Sequence, residues 1–275
     1  MSGKLYVVGT PIGNLSDFSA RAVETLASVD FIAAEDTRVT LKLLNHFEIK
    51  KPMVSYFEHN RRERGEIILE RIKSGESCAI VTDAGMPAIS DPGEDLVDLC
   101  LSNGITVESV PGPTAFATAV AMSGLPSGRF TFEGFLSVNK PSRREHLEEI
   151  VSERRTMVFY EAPHKLTATL KDLYKYLGDR RIALIKELTK IHETVERTTL
   201  SEACEKYSAQ TPKGEFVIVI EGSTEPKQKE VSLEEAVVLA KGLVENGMAI
   251  NDAAKEIAKE TKLKKGDIYK ALLGE

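Results

Sequence analysis

The stretch AIVTDAGMPAISDPG (79–93) decides the fold, because an apolar, strand-like run passes directly into a turn rich in Gly and Pro. Three more turns have this form: LYVVGTPIGN (5–14), TVESVPGPTA (106–115) and MVFYEAPHK (157–165). α/β proteins build ligand crevices from such turns at the carboxyl ends of their strands. Gly lets backbone approach a ligand closely, and Pro fixes the turn. The pattern predicts an enzyme that holds a sizeable ligand largely through its main chain.

Composition sets the broad class of the protein. The 275 residues suffice for two domains and a small appendage, and 42% hydrophobic with 28% charged residues is typical of a globular protein. No apolar run reaches the roughly 18 residues of a membrane span. The three cysteines lack CxxC spacing, which argues against zinc or disulfides and favours a reducing compartment. We expect a cytoplasmic protein without membrane association; the net charge of −6 gives no global sign of nucleic-acid binding.

Residues 1–117 alternate strand-like and helical patterns, which predicts a first domain with a mostly parallel sheet covered on both faces. A following run of small residues (111–126) predicts a helix that packs closely on this sheet before the chain leaves the domain. The expected strands are 5–8, 29–34, 53–57, 78–82 and 105–110, and the expected helices are 19–29, 39–47 and 63–75.

Residues 118–222 predict a second domain with a mixed sheet and fewer helices. Its expected strands are 130–136, 156–162, 181–188, 193–200 and 215–222.

A polar linker (223–230) precedes a C-terminal helical domain, 231–275. Ser232 and Glu235 have capping-box spacing, and Gly247 is a helix stop. The last two of its three helices have a helix-turn-helix outline. This domain either contacts nucleic acid or forms a small helical cap. Its helices are expected at 232–247, 251–261 and 264–273, and the lysines in and after the turn are Lys262, Lys264, Lys265 and Lys270.

Several familiar sites are disfavoured. Gly9 and Gly13, followed by acidic residues after the next strand, imitate a dinucleotide-binding fingerprint, but GTPIGN lacks GxGxxG. No GxxxxGK[ST] motif occurs, so a P-loop is excluded. The five histidines are scattered and no cluster has metal-ligand spacing, so we expect no metal.

Polar side chains collect where the predicted strands end, which is where α/β active sites gather. Asp36 or Thr37 could instead cap the next helix. The arginines 61, 62 and 64 and the basic loop 139–145 are candidate phosphate contacts, with a solvated surface as the alternative. The candidate catalytic residues are Glu35, Asp36, Arg38, Glu58, His59, Asn60, Glu161 and Lys186.

The ordered motifs GTPIGNLSD, AEDTR, SYFEHN, TDAGMPAISDPG, PGPTA, FYEAPHK and KELTK closely resemble a known family. It comprises the bacterial 16S ribosomal RNA 2′-O-methyltransferases that act on cytidine 1402, within the tetrapyrrole methylase superfamily. The resemblance spans residues 4–222, and the terminal helices are similar to the appendage of that family. It implies two α/β domains with S-adenosylmethionine (SAM) folded into the cleft between them, a homodimer, and 16S rRNA in the small ribosomal subunit as partner.

Carried over by motif, the resemblance also implies which residues contact SAM. These are Pro11, Gly85, Met86, Ala88, Ile89, Thr114, Ala115, Leu136 and Ala162.

Methyl transfer to a ribose hydroxyl requires in-line attack on the sulfonium methyl group and a proton acceptor, and it needs no metal. The resemblance does not identify the base. Chemistry leaves Glu35, Asp36, Glu58, His59 and Glu161 as candidates, with Arg38, Asn60 and Lys186 to position ribose or phosphate. Two alternatives stay open: methylation of a small tetrapyrrole-like molecule, and a non-catalytic RNA-binding protein on the same scaffold.

Overall fold

The computed structural model describes residues 3–224, 232–261 and 263–273. The chain divides after Thr224 into two compact units. The first contains two five-stranded sheets and the second contains three helices. The predicted linker lies almost wholly outside the described residues, as does Lys262.

The first sheet is entirely parallel and has the strand order β3-β2-β4-β1-β5. Its helices cover both faces: α3 and α4 supply apolar side chains to one core cluster, and α1 and α2 supply them to the other. Burial on both faces explains the near-continuous apolar strands. The elements are β1 (Lys4–Val8), α1 (Ala20–Ser28), β2 (Phe31–Ala34), α2 (Thr37–His46), β3 (Met53–Ser55), α3 (Arg61–Lys73), β4 (Cys78–Val81), α4 (Gly93–Ser102) and β5 (Thr106–Val110), with a 3-10 turn at Leu15–Asp17.

The second sheet is mixed, with the order β6-β7-β10-β8-β9. The β6–β7 pair is parallel and the other three pairs are antiparallel. The elements are α5 (Ala115–Ser123), β6 (Phe130–Phe135), α6 (Lys140–Glu149), β7 (Thr156–Glu161), α7 (Pro163–Leu177), β8 (Arg181–Lys186), β9 (Thr194–Thr199), α8 (Leu200–Ala209) and β10 (Phe216–Ile220), with a 3-10 turn at Ile150–Ser152.

The strands of the second sheet have three helices between them, α6, α7 and α8, against four in the first sheet, and these three cover one face of the second sheet. One expectation about this half of the unit was wrong. The basic loop 139–145 lies mostly within α6, which Asn139 caps by accepting from the backbone N–H of Ser142. The small-residue helix α5 packs on the other face of the second sheet, where Ala119 and Val120 are buried.

The C-terminal unit consists of α9 (Leu233–Glu245), α10 (Ile250–Thr261) and α11 (Lys265–Leu273). Ser232 and Glu235 form the predicted capping box. Gly247 has a φ of 94° just after α9 ends, the left-handed conformation expected of a helix stop. A small core that includes Ala240 and Ile268 joins the three helices.

Candidate active site

Three loops at the carboxyl ends of β1, β4 and β5 pack backbone against backbone. Thr10 and Gly85 form an isolated antiparallel bridge, with Thr10 N to Gly85 O at 2.9 Å and Gly85 N to Thr10 O at 3.2 Å. Gly9 lies so close to Gly112 that a Cβ added at Gly9 would be 2.7 Å from the backbone N and Cα of Gly112. Only glycine permits this approach, which brings all three loops to one edge of the sheet.

The loop after β4 is shaped by one carboxylate. Ala88 and Ser90 both have a φ of 66°, which is uncommon for residues with a side chain. Asp91 holds this conformation by accepting hydrogen bonds from the backbone N–H groups of Ala88 (3.0 Å), Ile89 (3.2 Å) and Gly93 (2.8 Å). The turn within AIVTDAGMPAISDPG (79–93) is therefore preorganised by its own sequence.

A cleft of about 620 Å³ lies between these loops and the second sheet. The hydroxyl of Tyr160, on β7, accepts a hydrogen bond from the backbone N–H of Phe116 at 3.0 Å, and so ties the second sheet to α5 at the cleft wall. The lining residues are Ile12, Glu35, Thr82, Asp83, Ala84, Gly85, Met86, Ile89, Ser90, Asp91, Thr114, Ala115, Phe135, Tyr160, Glu161, Ala162, Pro163, His164, Ile185, Leu188, Glu215, Phe216 and Val217.

The structure brings most of the predicted SAM contacts to this cleft. Three of them do not line it, but each is next to a residue that does: Pro11 precedes Ile12, Ala88 precedes Ile89, and Leu136 follows Phe135. Leu136 points instead into the core of the second sheet. The predicted contacts that line the cleft are Gly85, Met86, Ile89, Thr114, Ala115 and Ala162.

The predicted catalytic residues separate into two groups. Glu35 and Glu161 line the cleft from opposite sheets. The residues that are not among its lining are Asp36, Arg38, Glu58, His59, Asn60 and Lys186.

Asp36 acts as the cap of α2. Its carboxylate accepts from the backbone N–H of Arg38 at 2.8 Å and pairs with the Arg38 guanidinium at 2.6 Å. These hydrogen bonds lower the pKa of Asp36 to about 2. The N-cap alternative therefore describes its local role, and Arg38 is otherwise 87% exposed.

Residues 58–60 shape the turn that leads into α3. The side chain of Asn60 accepts from the backbone N–H of Phe57 at 2.9 Å and donates to the carbonyl of Ser55 at 3.1 Å. Glu58 forms an ion pair with Arg61 at 3.3 Å. The His59 ring lies edge-on to Phe57. These contacts are local and do not reach the cleft lining.

Glu161 is a buried carboxylate at the carboxyl end of β7, only 4% exposed. One oxygen accepts from the backbone N–H of Ala162 at 2.8 Å, and the other accepts from the hydroxyl of Thr169 at 2.5 Å. The same hydroxyl accepts from the guanidinium of Arg143 at 2.9 Å. Both oxygens of Glu161 are therefore engaged in a network that runs behind the cleft wall.

Glu35 and Asp83 form a second carboxylate pair, at the ends of the adjacent strands β2 and β4. Glu35 accepts from the hydroxyl of Thr82 at 2.5 Å and from the backbone N–H of Asp83 at 3.4 Å. Asp83 in turn accepts from the backbone N–H of Asp36 at 3.2 Å. Burial and the negative charge of Glu35 raise the pKa of Asp83.

Sequence reasoning missed Asp83, although it is the first charged residue after a buried strand, as Glu35 is. The other lining residues that were not predicted are mostly apolar and belong to strand-like runs. No local feature of the sequence therefore distinguishes them from residues of the hydrophobic core. Examples are Ile185 on β8 and Val217 on β10, which reach the cleft only because the two sheets face it together.

The basic residues proposed for phosphate contact are partly neutralised. Arg61 pairs with Asp95 at 2.6 Å, and Arg143 pairs with Asp172 at 2.8 Å. Arg62 is exposed. Throughout the described parts of the chain, no group of three or more His, Cys, Asp or Glu side chains is arranged to hold a metal ion, and no helix is long and apolar enough to cross a bilayer.

Comparison with known proteins identifies the family. The model of the tetrapyrrole (corrin/porphyrin) methylases matches residues 4–204. A Synechocystis protein named ribosomal RNA small subunit methyltransferase I is 46% identical over 98% of both chains. Bacillus subtilis and Thermotoga maritima proteins of the same name are 42% and 48% identical; the latter alignment covers 99% of that protein but 80% of this chain.

Solved structures share the fold. Uroporphyrin-III C-methyltransferase from Thermus thermophilus, in a complex with S-adenyl homocysteine, superposes with a TM-score of 0.56 at 18% identity, over 79% of this chain and 97% of that one. A diphthine synthase superposes with a TM-score of 0.60 at 15% identity, over 82% and 92% of the two chains. The chain therefore belongs to the tetrapyrrole methylase family and, within it, to the ribosomal RNA small subunit methyltransferase I proteins.

Proposed function

We infer that this protein is a SAM-dependent methyltransferase that modifies the RNA of the small ribosomal subunit. The observation that carries this conclusion is the 46% identity to a ribosomal RNA small subunit methyltransferase I over 98% of each chain. A match that spans both sheets and extends through the C-terminal unit supports a shared reaction as well as a shared fold.

The cleft fits SAM in size and shape. Its volume of about 620 Å³ lies within the roughly 300–1,000 Å³ usual for small-molecule sites. Gly85, with a φ of 93°, and the Gly9–Gly112 contact keep Cβ atoms away from the loops that face the cleft. Thr114 and Ala115, at the start of α5, line the same space.

The charges of the cleft also fit SAM. Among the described residues that line it, five are carboxylic acids and none is Lys or Arg. A sulfonium and an ammonium group make SAM a net cation. A negatively charged lining therefore favours SAM over a neutral thioether. SAM, when bound, supplies an electrophilic methyl group. The acids are Glu35, Asp83, Asp91, Glu161 and Glu215.

The surrounding residues then have three tasks. The Gly85 loop and the start of α5 hold and orient the cofactor, together with Met86, Ile89 and Ala162. The apolar wall formed by Phe135, Ile185 and Val217 excludes water from the reacting groups. The Glu35–Asp83 pair lies where a hydroxyl that enters from the first-sheet side meets carboxylate oxygens.

The exact methyl acceptor and the oligomeric state are proposed from the resemblance to the family. The proposed methyl acceptor is the ribose 2′-oxygen of cytidine 1402 in 16S rRNA, and the protein works as a cytoplasmic homodimer. Lys264, Lys265 and Lys270 give the C-terminal unit positive charge in and after its helix-turn-helix turn, which suits a docking role on RNA. We retain three domains, 1–117, 118–222 and 231–275, as the functional division.

The test offers labelled SAM to the purified protein with three acceptors in parallel: small ribosomal subunits that lack the modification, naked 16S rRNA, and a porphyrinoid such as uroporphyrinogen. We expect label in ribosomal RNA only. Label in the porphyrinoid alone would move the substrate to the small-molecule class. Binding of rRNA without any SAM binding in a calorimetric titration would instead favour a non-catalytic protein.

A further inference from the structure

We propose that Asp83 is the proton acceptor for the ribose hydroxyl, an inference that rests on the proposed function. Asp83 follows the buried strand β4 by two residues and lines the cleft beside Glu35. Its position comes from the strand order: β2 and β4 are neighbours, and Ala34 pairs in register with Val81. The residues that follow the two strands therefore meet at the same edge.

The other acids of the cleft already interact with protein groups. Both oxygens of Glu161 accept hydrogen bonds. Asp91 accepts from three backbone N–H groups, and one oxygen of Glu215 forms an ion pair with Lys190 at 3.0 Å. Each of these contacts leaves fewer oxygens available to a substrate hydroxyl.

The Glu35–Asp83 pair is different because two adjacent carboxylates line the cleft and neither forms an ion pair with Lys or Arg in the described structure. Within the described structure, Oδ2 of Asp83 and Oε1 of Glu35 receive no hydrogen bond, whereas the inner oxygens exchange the reciprocal contacts with backbone N–H groups. The charged groups that face Asp83 are Glu35 from the end of β2, and Asp36 and Arg38 from α2. The pair therefore places carboxylate oxygens without hydrogen-bond partners in the lining of the cleft.

Asp83 accepts fewer hydrogen bonds than Glu35. Glu35 accepts a 2.5 Å hydrogen bond from the hydroxyl of Thr82 and a second from the backbone N–H of Asp83. No comparable side-chain donor supports Asp83, and its partial burial beside a second negative charge favours the protonated form. The hydroxyl proton is therefore assigned to Asp83, with Glu35 as a positioning residue that supplies a neighbouring negative charge.

The proposed step balances. Attack of the ribose 2′-oxygen on the methyl carbon of SAM forms an O–C bond, the C–S bond breaks with its electron pair left on sulfur, and the hydroxyl proton passes to Oδ2 of Asp83. The proton then leaves to solvent, since Asp83 is an exposed residue of the cleft lining.

Asp83→Asn tests the proposal with little disturbance, because the amide oxygen can still accept from the backbone N–H of Asp36. We expect the single-turnover rate of methyl transfer to small ribosomal subunits to fall at least about 100-fold, within the usual range for a lost general base. The dissociation constant of SAM, measured by calorimetry without RNA, should change less than about threefold. Glu108→Gln removes an exposed carboxylate that pairs with Lys4 away from the cleft, and should match wild type.

Asp83→Ala with added formate separates chemistry from structure. If Asp83 accepts the proton, formate should raise the rate of Asp83→Ala in proportion to its concentration and leave Asp83→Asn unchanged. Three results would overturn the assignment: an Asp83→Asn rate within threefold of wild type, no rescue by formate, or a slow variant whose SAM affinity has collapsed. Failure of the wild-type protein to methylate any ribosomal RNA would instead reject the proposed function itself.

Discussion

The contact between Gly9 and Gly112 predicts a measurable penalty for a single added methyl group. In Gly9→Ala the new Cβ would lie 2.7 Å from two backbone atoms of Gly112, roughly 0.7 Å inside ordinary contact. Neither backbone can yield without moving a loop, because Thr10 is bridged to Gly85 beside it. Overpacking of this kind costs about 1–3 kcal/mol. At about 2–4 °C per kcal/mol for a chain of this size, Tm should fall by roughly 2–12 °C.

The same variant should bind SAM more weakly. The loop that carries Gly112 continues into Thr114 and Ala115, which line the cleft. If about 1.4 kcal/mol of the strain is relieved by displacing that loop, SAM affinity falls about tenfold. Thermal unfolding and calorimetric titration measure the two effects. Gly128→Ala is the matched control, since no atom lies within 4 Å of its added Cβ. Equal Tm and equal SAM affinity in both variants would refute the close-packed-loop argument.

Three further predictions concern stability and the second unit. Thr169→Val removes the hydroxyl that donates to Glu161, so urea unfolding should show a loss of about 1–3 kcal/mol; a loss below about 0.3 kcal/mol would contradict the buried network. The hydrogen bonds from Arg155 lower the pKa of Glu153 to about 2. The ionised Glu153 therefore contributes fully to the free energy of unfolding above pH 4.5, and this contribution is lost as pH falls through 2. Glu153→Gln should be less stable than wild type at pH 7, and the difference in free energy of unfolding should close towards pH 2. Deletion of 225–275 should leave a folded protein with unchanged SAM affinity but weaker binding to RNA, and an equal loss of both affinities would make the C-terminal unit a structural cap.

The Thermotoga maritima relative supports that last expectation. The aligned 220 residues make up 99% of that protein, so it has about the length of the first unit alone. A relative of this length is consistent with a first unit that folds without the C-terminal helices. The C-terminal helices are then an addition whose effect should fall on substrate binding.

Much of the fold could be predicted from the sequence, because most strands are apolar runs bounded by turn residues. The parallel first sheet follows from strands that alternate with helical patterns. The helices of the second sheet were missed, yet α7 carries a helical signal: Leu166, Leu170, Leu173 and Leu177 repeat at helical spacing on its buried face. This periodicity lies between two strand-like runs, 156–162 and 181–188.

The site was harder to predict from the sequence, because the strand order and the packing of the two sheets determine which residues line the cleft. Glu35 was predicted because it follows the end of a strand. Asp83 also follows the end of a strand, but its place beside Glu35 is known only once β4 is placed next to β2. Glu58 and Asn60 also follow the end of a strand, but that strand is β3, at the edge of the sheet, and neither residue lines the cleft. One-dimensional spacing cannot distinguish these cases.

The most direct test of the account is transfer of labelled methyl from SAM to small ribosomal subunits that lack the modification, followed by mapping of the labelled nucleotide. The account predicts label on the ribose 2′-oxygen of cytidine 1402 with wild-type protein, and at least a 100-fold slower appearance of that label with Asp83→Asn. Subunits that stay unlabelled while the protein binds SAM normally would contradict the proposed substrate.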